Sequence, residues 1–401
     1  MNLRTVLGAK PVTLLVSVVV LPLILLLAVL SYSWPAGRIA PRDVPIGMVS
    51  TDPAGAQIAL ALQQKEPGAF DVTLYGSDTA ARTAIQNREV YGALEVTPGH
   101  ITAFTASAAG STVAQLITQV ADNIATQSAA QGRPLTVTSD DVVPSAAGDP
   151  HGAVLSAALV PLTVCSVIIA AASMILLRLR PAWRHLTVLA VLAVLAALAS
   201  YLIIQCFLGA LPGRHLETWA TLALLIFSVT SAVAGSIALI GPMAVGLGAA
   251  LFVFVGIPWS GVSSAPEMLP KSADVIGQLL PPGAAQSLLR DTAFFDGHGP
   301  LSHLLVLIGW SLFGILADIL GHHSLVGFAA RHARAAAAAR NAAVNAPHPV
   351  HHAAPHTPAG LTEVLPSYVP QDPTPTQYRI PARRAGLAEA QEWDGFAEPR
   401  P

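Results

Sequence analysis

The chain has 401 residues, of which 53% are hydrophobic and 11% charged, with a mean hydropathy of +0.58 and a formal net charge of -2. An average soluble domain carries about 25% charged residues, so this composition argues against a soluble core and points to a multispan membrane protein. The small net charge decides nothing, because the charges are clustered.

The first apolar run, Pro11 to Ser33, follows a short basic head of Arg4 and Lys10. It is longer than the core of a usual signal peptide, and no small-x-small cleavage site follows. It reads as an uncleaved signal-anchor that leaves the membrane at Ser33-Trp34-Pro35, with an aromatic anchor at the interface.

Arg38 to Pro150 reads as a water-soluble domain. Val44 to Val49 is a predicted strand. Pro53 to Gln64 is a predicted helix, with Asp52 as its N-cap and Pro53 in the first helical position. Phe70 to Tyr75 alternates like a half-buried strand, and Asp78 to Asn87 is helical with Ala81, Ala84 and Ile85 on one face. Tyr91 to Val96 and His100 to Thr105 form a predicted hairpin through Thr97-Pro98-Gly99. Ser111 to Ala129 is a longer helix, and Pro134 to Val143 an extended return. Strands alternating with helices predict a small α/β layer structure. The segment carries 11 acidic and 6 basic residues, which gives it no basic face for nucleic acid.

The chain then turns apolar again. Ala153 to Leu177 and Leu186 to Leu211 are uncharged spans, separated by the basic loop Arg178 to His185. Thr218 to Ile257 is 40 residues without a charge, long enough for two crossings at about 1.5 Å per residue. Gly241-Pro242 marks the turn, and Ser228, Ser231, Ala234, Gly235, Ser236, Gly246 and Gly248 permit close helix packing. Leu301 to Leu320 is the last of six spans. Cys165 and Cys206 fall inside spans and read as small buried apolar side chains, not a disulfide. The basic residues of the head, of the 178–184 loop and of Arg331, Arg334 and Arg340 lie on one side, which puts both termini in the cytoplasm and the α/β domain outside. From 326 to 401 the chain is rich in Ala, His and Pro and is expected to be disordered. A metal bound by His348, His351, His352 and His356 is less expected than a biased linker.

Pro258 to His298 is too broken by Pro and Gly to cross a membrane, yet it carries Leu279, Leu280, Leu288, Leu289, Phe294 and Phe295. It is expected to re-enter the outer face as two helices, Pro266 to Leu280 and Ala284 to Phe294, broken at Pro281-Pro282-Gly283. Their apolar faces would enter the outer leaflet, while Glu267, Lys271, Asp274, Arg290 and Asp291 stay wet.

No Walker A, HExxH or GxSxG pattern occurs, so an enzyme is not expected, and no catalytic, cofactor or metal residues are assigned; no Cys/His spacing suggests a zinc site. A proton relay needs ionisable groups within the membrane. Only His303 and Asp318 come near, at opposite ends of the last span and close to water. Energy for any transport would come from a partner. The basic loop is then either simple topogenic charge with an interfacial Trp or an element that docks on a soluble ATPase.

The layout resembles the ABC-2 type exporter permeases, and within them the YhgE/Pip-like branch. The resemblance rests on one N-terminal span, a large insertion and five further spans. It also rests on Pro258-Trp259-Ser260-Gly261, Leu280-Pro281-Pro282-Gly283-Ala284, Leu289-Arg290, Phe294-Phe295-Asp296-Gly297, Val44-Pro45-Ile46-Gly47-Met48-Val49, Val90-Tyr91-Gly92-Ala93-Leu94 and Asp149-Pro150-His151-Gly152. It covers residues 1 to 325. It implies a plasma-membrane subunit, homodimeric or heterodimeric, that exports an amphipathic or lipidic substrate with a separate ATP-binding subunit. Arg178, Arg180, Pro181, Trp183 and Arg184 would then be the coupling loop. Pro258, Trp259, Pro281, Pro282, Gly283, Phe294 and Phe295 would form the outer gate. The same branch allows a second reading, a surface receptor or secretion-accessory scaffold working through the outer domain. The expected domains are 1–34, 35–151, 152–325 (with the re-entrant segment at 258–300) and 326–401.

Overall fold

A computed structural model describes residues 16–50, 53–177 and 180–322. The basic head, Asp52, Arg178 and everything after His322, including the tail histidines, lie outside the described residues. Helix α1 (Leu21–Ala36) follows a π-helical turn. Strand β1 (Val44–Val49), helix α2 (Pro53–Lys65), β2 (Phe70–Tyr75), α3 (Asp78–Gln86), the hairpin β3–β4 (Gly92–Thr97 and His100–Thr105), α4 (Ser111–Ala130) and β5 (Thr136–Asp141) come next. These fall within a residue or two of the sequence expectation.

The strands form one mixed sheet in the order β2-β1-β3-β4-β5. β1 is parallel to both of its neighbours, β3 and β4 are antiparallel, and β5 is parallel to β4. The interior strand β1 is a near-continuous apolar run, as a strand covered on both faces must be, and all but Pro45 of it is buried. Helix α3 starts at Ser77, whose hydroxyl accepts from the Ala80 N–H at 3.2 Å, and it buries Ala81, Ala84 and Ile85. Pro98-Gly99 closes the hairpin with Gly99 at φ +84°, a conformation that glycine reaches without a Cβ clash.

Helices α5 (Ala153–Leu177), α6 (Ala182–Tyr201, continuing as a π-helix to Phe207), α7 (His215–Ile240) and α8 (Met243–Gly248, continuing as a π-helix to Gly256) follow. Two short helices, α9 (Lys271–Gln278) and α10 (Pro281–Phe294), precede α11 (Ser302–His322). Five helices are long and apolar enough to cross a membrane: 18–36, 153–177, 182–207, 215–240 and 302–322. The expected sixth span, Met243–Gly256, is apolar but shorter. Their outward faces leave large side chains uncovered, Ile175 and Phe207 among them, which is compatible with a multi-pass membrane protein.

Helix α7 is the axis of the bundle. Leu222, Leu225, Ile226 and Val229 are buried on it, and Leu159, Leu189 and Leu307 pack around them. Glycine brings α7 and α11 into backbone contact: a Cβ on Gly235 would lie 2.4 Å from the Gly314 carbonyl oxygen, and one on Gly314 would lie 2.3 Å from the Ser231 carbonyl carbon. Those small residues serve close packing, as expected. Cys165 and Cys206 are free, but both are exposed, which corrects the expectation that they are buried.

Asp149 sets the start of α5. Its Oδ1 accepts from the Ala153 N–H (2.7 Å) and its Oδ2 from the Val154 N–H (2.9 Å), satisfying two donors that a helix start leaves free. Because Asp149 is 7% exposed, Asp149→Ala is expected to cost about 1–2 kcal/mol, as lost caps do. Denaturant unfolding of the purified protein checks this, with Asp149→Asn keeping most of the loss at bay.

Candidate functional site: the crevice between sheet domain and helical hairpin

Helix α3 ends at Gln86, and Arg88 follows with φ +58°. Its N–H donates to the Ile85 carbonyl (3.0 Å), and that of Glu89 to the Ala84 carbonyl (2.9 Å). Glycine is the usual residue for a left-handed step after a helix. Here the position carries a side chain that reaches α10. Arg88 Nη1 donates to Asp291 Oδ1 and to the Ser287 carbonyl (2.9 Å). Asp291 is 1% exposed and the Arg88 side chain 11%.

Around this pair the contacts continue. The Tyr91 hydroxyl donates to Glu267 Oε2 at 2.7 Å. Arg290 Nη2 donates to the Val262 carbonyl at 2.9 Å, and the Gln286 amide, oriented to donate to the Ser260 carbonyl (3.0 Å), presents its oxygen to Arg290 Nη1. His303 Nδ1 stands 3.7 Å from Asp291 Oδ2. Burial pulls the Arg88 guanidinium down, but Asp291, then Tyr91 and Glu267, outweigh it and raise its pKa. Burial first, then the charge of Arg88, pushes Arg290 down to about 10. Burial, then Glu267, raises the Tyr91 phenol. A cavity of about 200 Å³ opens beside these groups, lined by Arg88, Tyr91, Glu267, Asp274 and His303 among others. Chemically this is a latch: Arg88 and Asp291 pair charges from two parts of the chain, while Asp291 Oδ2 and His303 Nδ1 are buried without a hydrogen-bond partner, with room beside them for a small polar group.

The hairpin α9–α10 belongs to two cores at once. Ala265, Met268 and Phe295 complete the core of the sheet domain. Leu280, Ala284, Ala285 and Leu289 complete that of the bundle. This corrects several expectations. Pro266 to Leu280 is not one helix: a 3₁₀ turn at Pro266–Met268 precedes α9, because Pro270 cannot continue the hydrogen-bond ladder. Pro281-Pro282-Gly283 is not a break but the first turn of α10, where proline needs no N–H. Phe295 packs in the sheet domain and Leu289 in the bundle, so neither faces outward; the exposed apolar residues are Val275, Ile276 and Leu279. Arg290 and Asp291 are buried, not wet, since each finds a partner.

Of the residues expected at the gate, Trp259, Pro282 and Gly283 are brought together, with Pro258 next to Trp259 in the chain. A Cβ on Gly277 would lie 1.7 Å from the Trp259 carbonyl oxygen, one on Gly283 would lie 2.2 Å from that of Gly277, and one on Gly256 would lie 3.0 Å from Pro282 Cγ. Pro281 sits in the same turn, whereas Phe294 and Phe295 lie at the far end of α10. Trp259 Nε1 donates to the Ser31 carbonyl (3.1 Å), and its ring lies 5.7 Å from that of Trp34, so the first helix is fastened to the same turn. Of the loop residues, Arg180, Pro181, Trp183 and Arg184 are exposed, with the Arg184 guanidinium 5.0 Å from the Trp183 ring.

His185, the last residue of that loop, is not part of an exposed stretch. It is fully buried, and its Nδ1 lies 2.9 Å from Asp318 Oδ1 and its Nε2 3.1 Å from Ser173 Oγ. His322 joins them, its Nδ1 2.9 Å from the Asp318 carbonyl. Asp318 is 0% exposed, which corrects its expected place near water, and the helices are not as empty of ionisable groups as their composition indicated. Ser173, His185 and Asp318 have the order of a nucleophilic triad. Ser173, however, hydrogen-bonds the Ala170 carbonyl at 2.8 Å within α5, and the helix uses the neighbouring N–H groups that an oxyanion would need.

Sequence reasoning missed Arg88, His185 and His322. The signal for Arg88 was its place just before Val90-Tyr91-Gly92. His185 and His322 gave none, because their partners come from other helices. No family model matches this chain, and searches of curated proteins and of solved structures found no match.

Proposed function

We propose that the chain is the membrane subunit of an ABC-2 type exporter, with six spans, both termini in the cytoplasm and the sheet domain outside. A separate ATP-binding subunit would supply the energy, and the chain would act as a homodimer or heterodimer on an amphipathic or lipidic substrate. The observation that carries this reading is the hairpin α9–α10, built into the sheet domain and the bundle together. Movement of one core would shift the hairpin against the other, which is what an outer gate requires. The other end of the bundle supports the reading too. Ser156, near the start of α5, donates to the Val262 carbonyl at the hairpin (3.1 Å). The loop with Arg180 and Arg184 follows the far end of the same 25-residue helix, about 37 Å away, and His185 ties it to α11. A push on the loop would reach the last helix directly.

One observation favours the second reading, a surface receptor or scaffold. The sheet domain is latched to the hairpin by a buried ion pair, which suits a platform held in fixed orientation. Replacing Arg178, Arg180 and Arg184 together by Ala separates the two. For the exporter, recovery of the ATP-binding subunit by pull-down from native membranes falls at least tenfold, while insertion and thermal stability stay as in the parent. If the parent recovers no such subunit, the exporter reading is wrong; if the triple variant recovers it equally, the loop is not the coupling element.

A further inference from the structure

We propose that His185, Asp318 and His322 form a binding site for a divalent first-row transition metal ion, of which Zn²⁺ is the test case. Each offers one ligand atom, and the three atoms lie within 4.8 Å of one another. They come from the first turns of α6 and the last of α11, and Ser173 of α5 borders them. All three are at least nine-tenths buried.

The proton count points to a cation. His322 Nδ1 faces the Asp318 carbonyl at 2.9 Å, and two acceptors cannot share that distance, so Nδ1 carries the proton and donates. His322 Nε2 is then a bare lone pair, buried and without a partner. Asp318 Oδ1 is engaged by His185, but Oδ2 is also buried without a partner. Two orphaned acceptors in one apolar pocket are costly. A proton cannot serve both, because the two atoms are not within hydrogen-bonding reach of each other. An ion between them can. Two imidazoles and one carboxylate suit zinc, iron, cobalt or nickel and not the oxygen-seeking Mg²⁺ or Ca²⁺. Zinc bonds of about 2.0–2.2 Å set tetrahedral ligands roughly 3.4 Å apart, so the ligands need only close in by small side-chain rotations. A water would supply the fourth position. His185 Nδ1 would exchange its contact with Oδ1 for the metal, with Ser173 still holding Nε2 as an outer partner does. The ion would staple the ends of α6 and α11 beside the exposed Arg180–Arg184 stretch, from which it can enter.

The test uses the full chain in detergent, tagged without histidine, with His348, His351, His352 and His356 changed to Ala so that the tail contributes nothing. After chelation and dialysis, Co²⁺ is titrated in and then displaced with Zn²⁺. The expected result is one Co²⁺ per chain, with the visible absorption bands of a tetrahedral site, lost on addition of Zn²⁺, and a raised melting temperature with either ion. His322→Ala, which leaves the His185–Asp318 contact intact, and Asp318→Asn should each weaken binding at least a hundredfold, whereas Ser173→Ala should change it less than tenfold. Absence of stoichiometric binding in the parent would overturn the site, leaving a bridging water or proton in its place. So would binding that His322→Ala and Asp318→Asn leave unchanged.

Discussion

Asp291→Ala is expected to destabilise the protein by about 3–5 kcal/mol, the range for breaking a buried ion pair from one side. The variant strands the Arg88 guanidinium against α10, where it is 11% exposed and where Arg290 is already a second buried cation. Burial already holds Arg290 down to about 10, so the crevice has no capacity for a further unpaired positive charge. Replacing both partners, Arg88→Met with Asp291→Leu, should recover most of the loss, because apolar isosteres of a buried pair are close to neutral. Denaturant unfolding of both variants in detergent reads this out. If Asp291→Ala unfolds at the parent's midpoint, the latch contributes nothing and the sheet domain is held by apolar contacts alone.

The second large effect is expected at Gly277. An alanine there would put its Cβ 1.7 Å from the Trp259 carbonyl oxygen, and backbone cannot yield as a flexible side chain does. Helix α9 must lift from the turn that follows α8. Overpacking of this kind costs about 1–3 kcal/mol, occasionally more. The change should alter Trp259 fluorescence, since that ring also holds Ser31 and faces Trp34. Gly246→Ala is the control: its Cβ would meet nothing within 4 Å, and a helical glycine replaced by alanine gains up to about 1 kcal/mol. Equal melting temperatures for Gly277→Ala and Gly246→Ala would sink the prediction.

The sheet domain was legible because its signals are local. Alternation, a proline-glycine turn and the apolar face of α3 each occupy fewer than ten residues, and each sets its own element. The long apolar helices were legible for the same reason, as was the turn at Gly241-Pro242. The hairpin was not. Arg290 and Asp291 look wet in sequence because charges usually are. What buries Asp291 is Arg88, 203 residues earlier in the chain, in a left-handed step that arginine seldom takes. Likewise Phe294-Phe295 looked like a pair bound for one surface, yet Phe295 fills the sheet domain's core. His185 sat among arginines and took its meaning from them, although its contact is Asp318, 133 residues on. Local patterns set elements, and the sites arise from pairings that no local pattern encodes.

The double membership of the hairpin also sets an order in time. Strand β5 ends at Asp141, but the core it belongs to is not complete until Phe295 has been made. At 5–20 residues per second, synthesis of the intervening 154 positions takes roughly 8–30 s. Through most of that interval the nascent sheet lacks Ala265 and Met268, and until near its end it lacks Phe295 and the Asp291 counter-charge of Arg88. Helices α5 to α8 must all emerge before it can close. Final closure of the earliest-made domain therefore waits on correct packing of the four helices behind it, and a chain in which one of them fails to pack would keep an open, protease-accessible sheet.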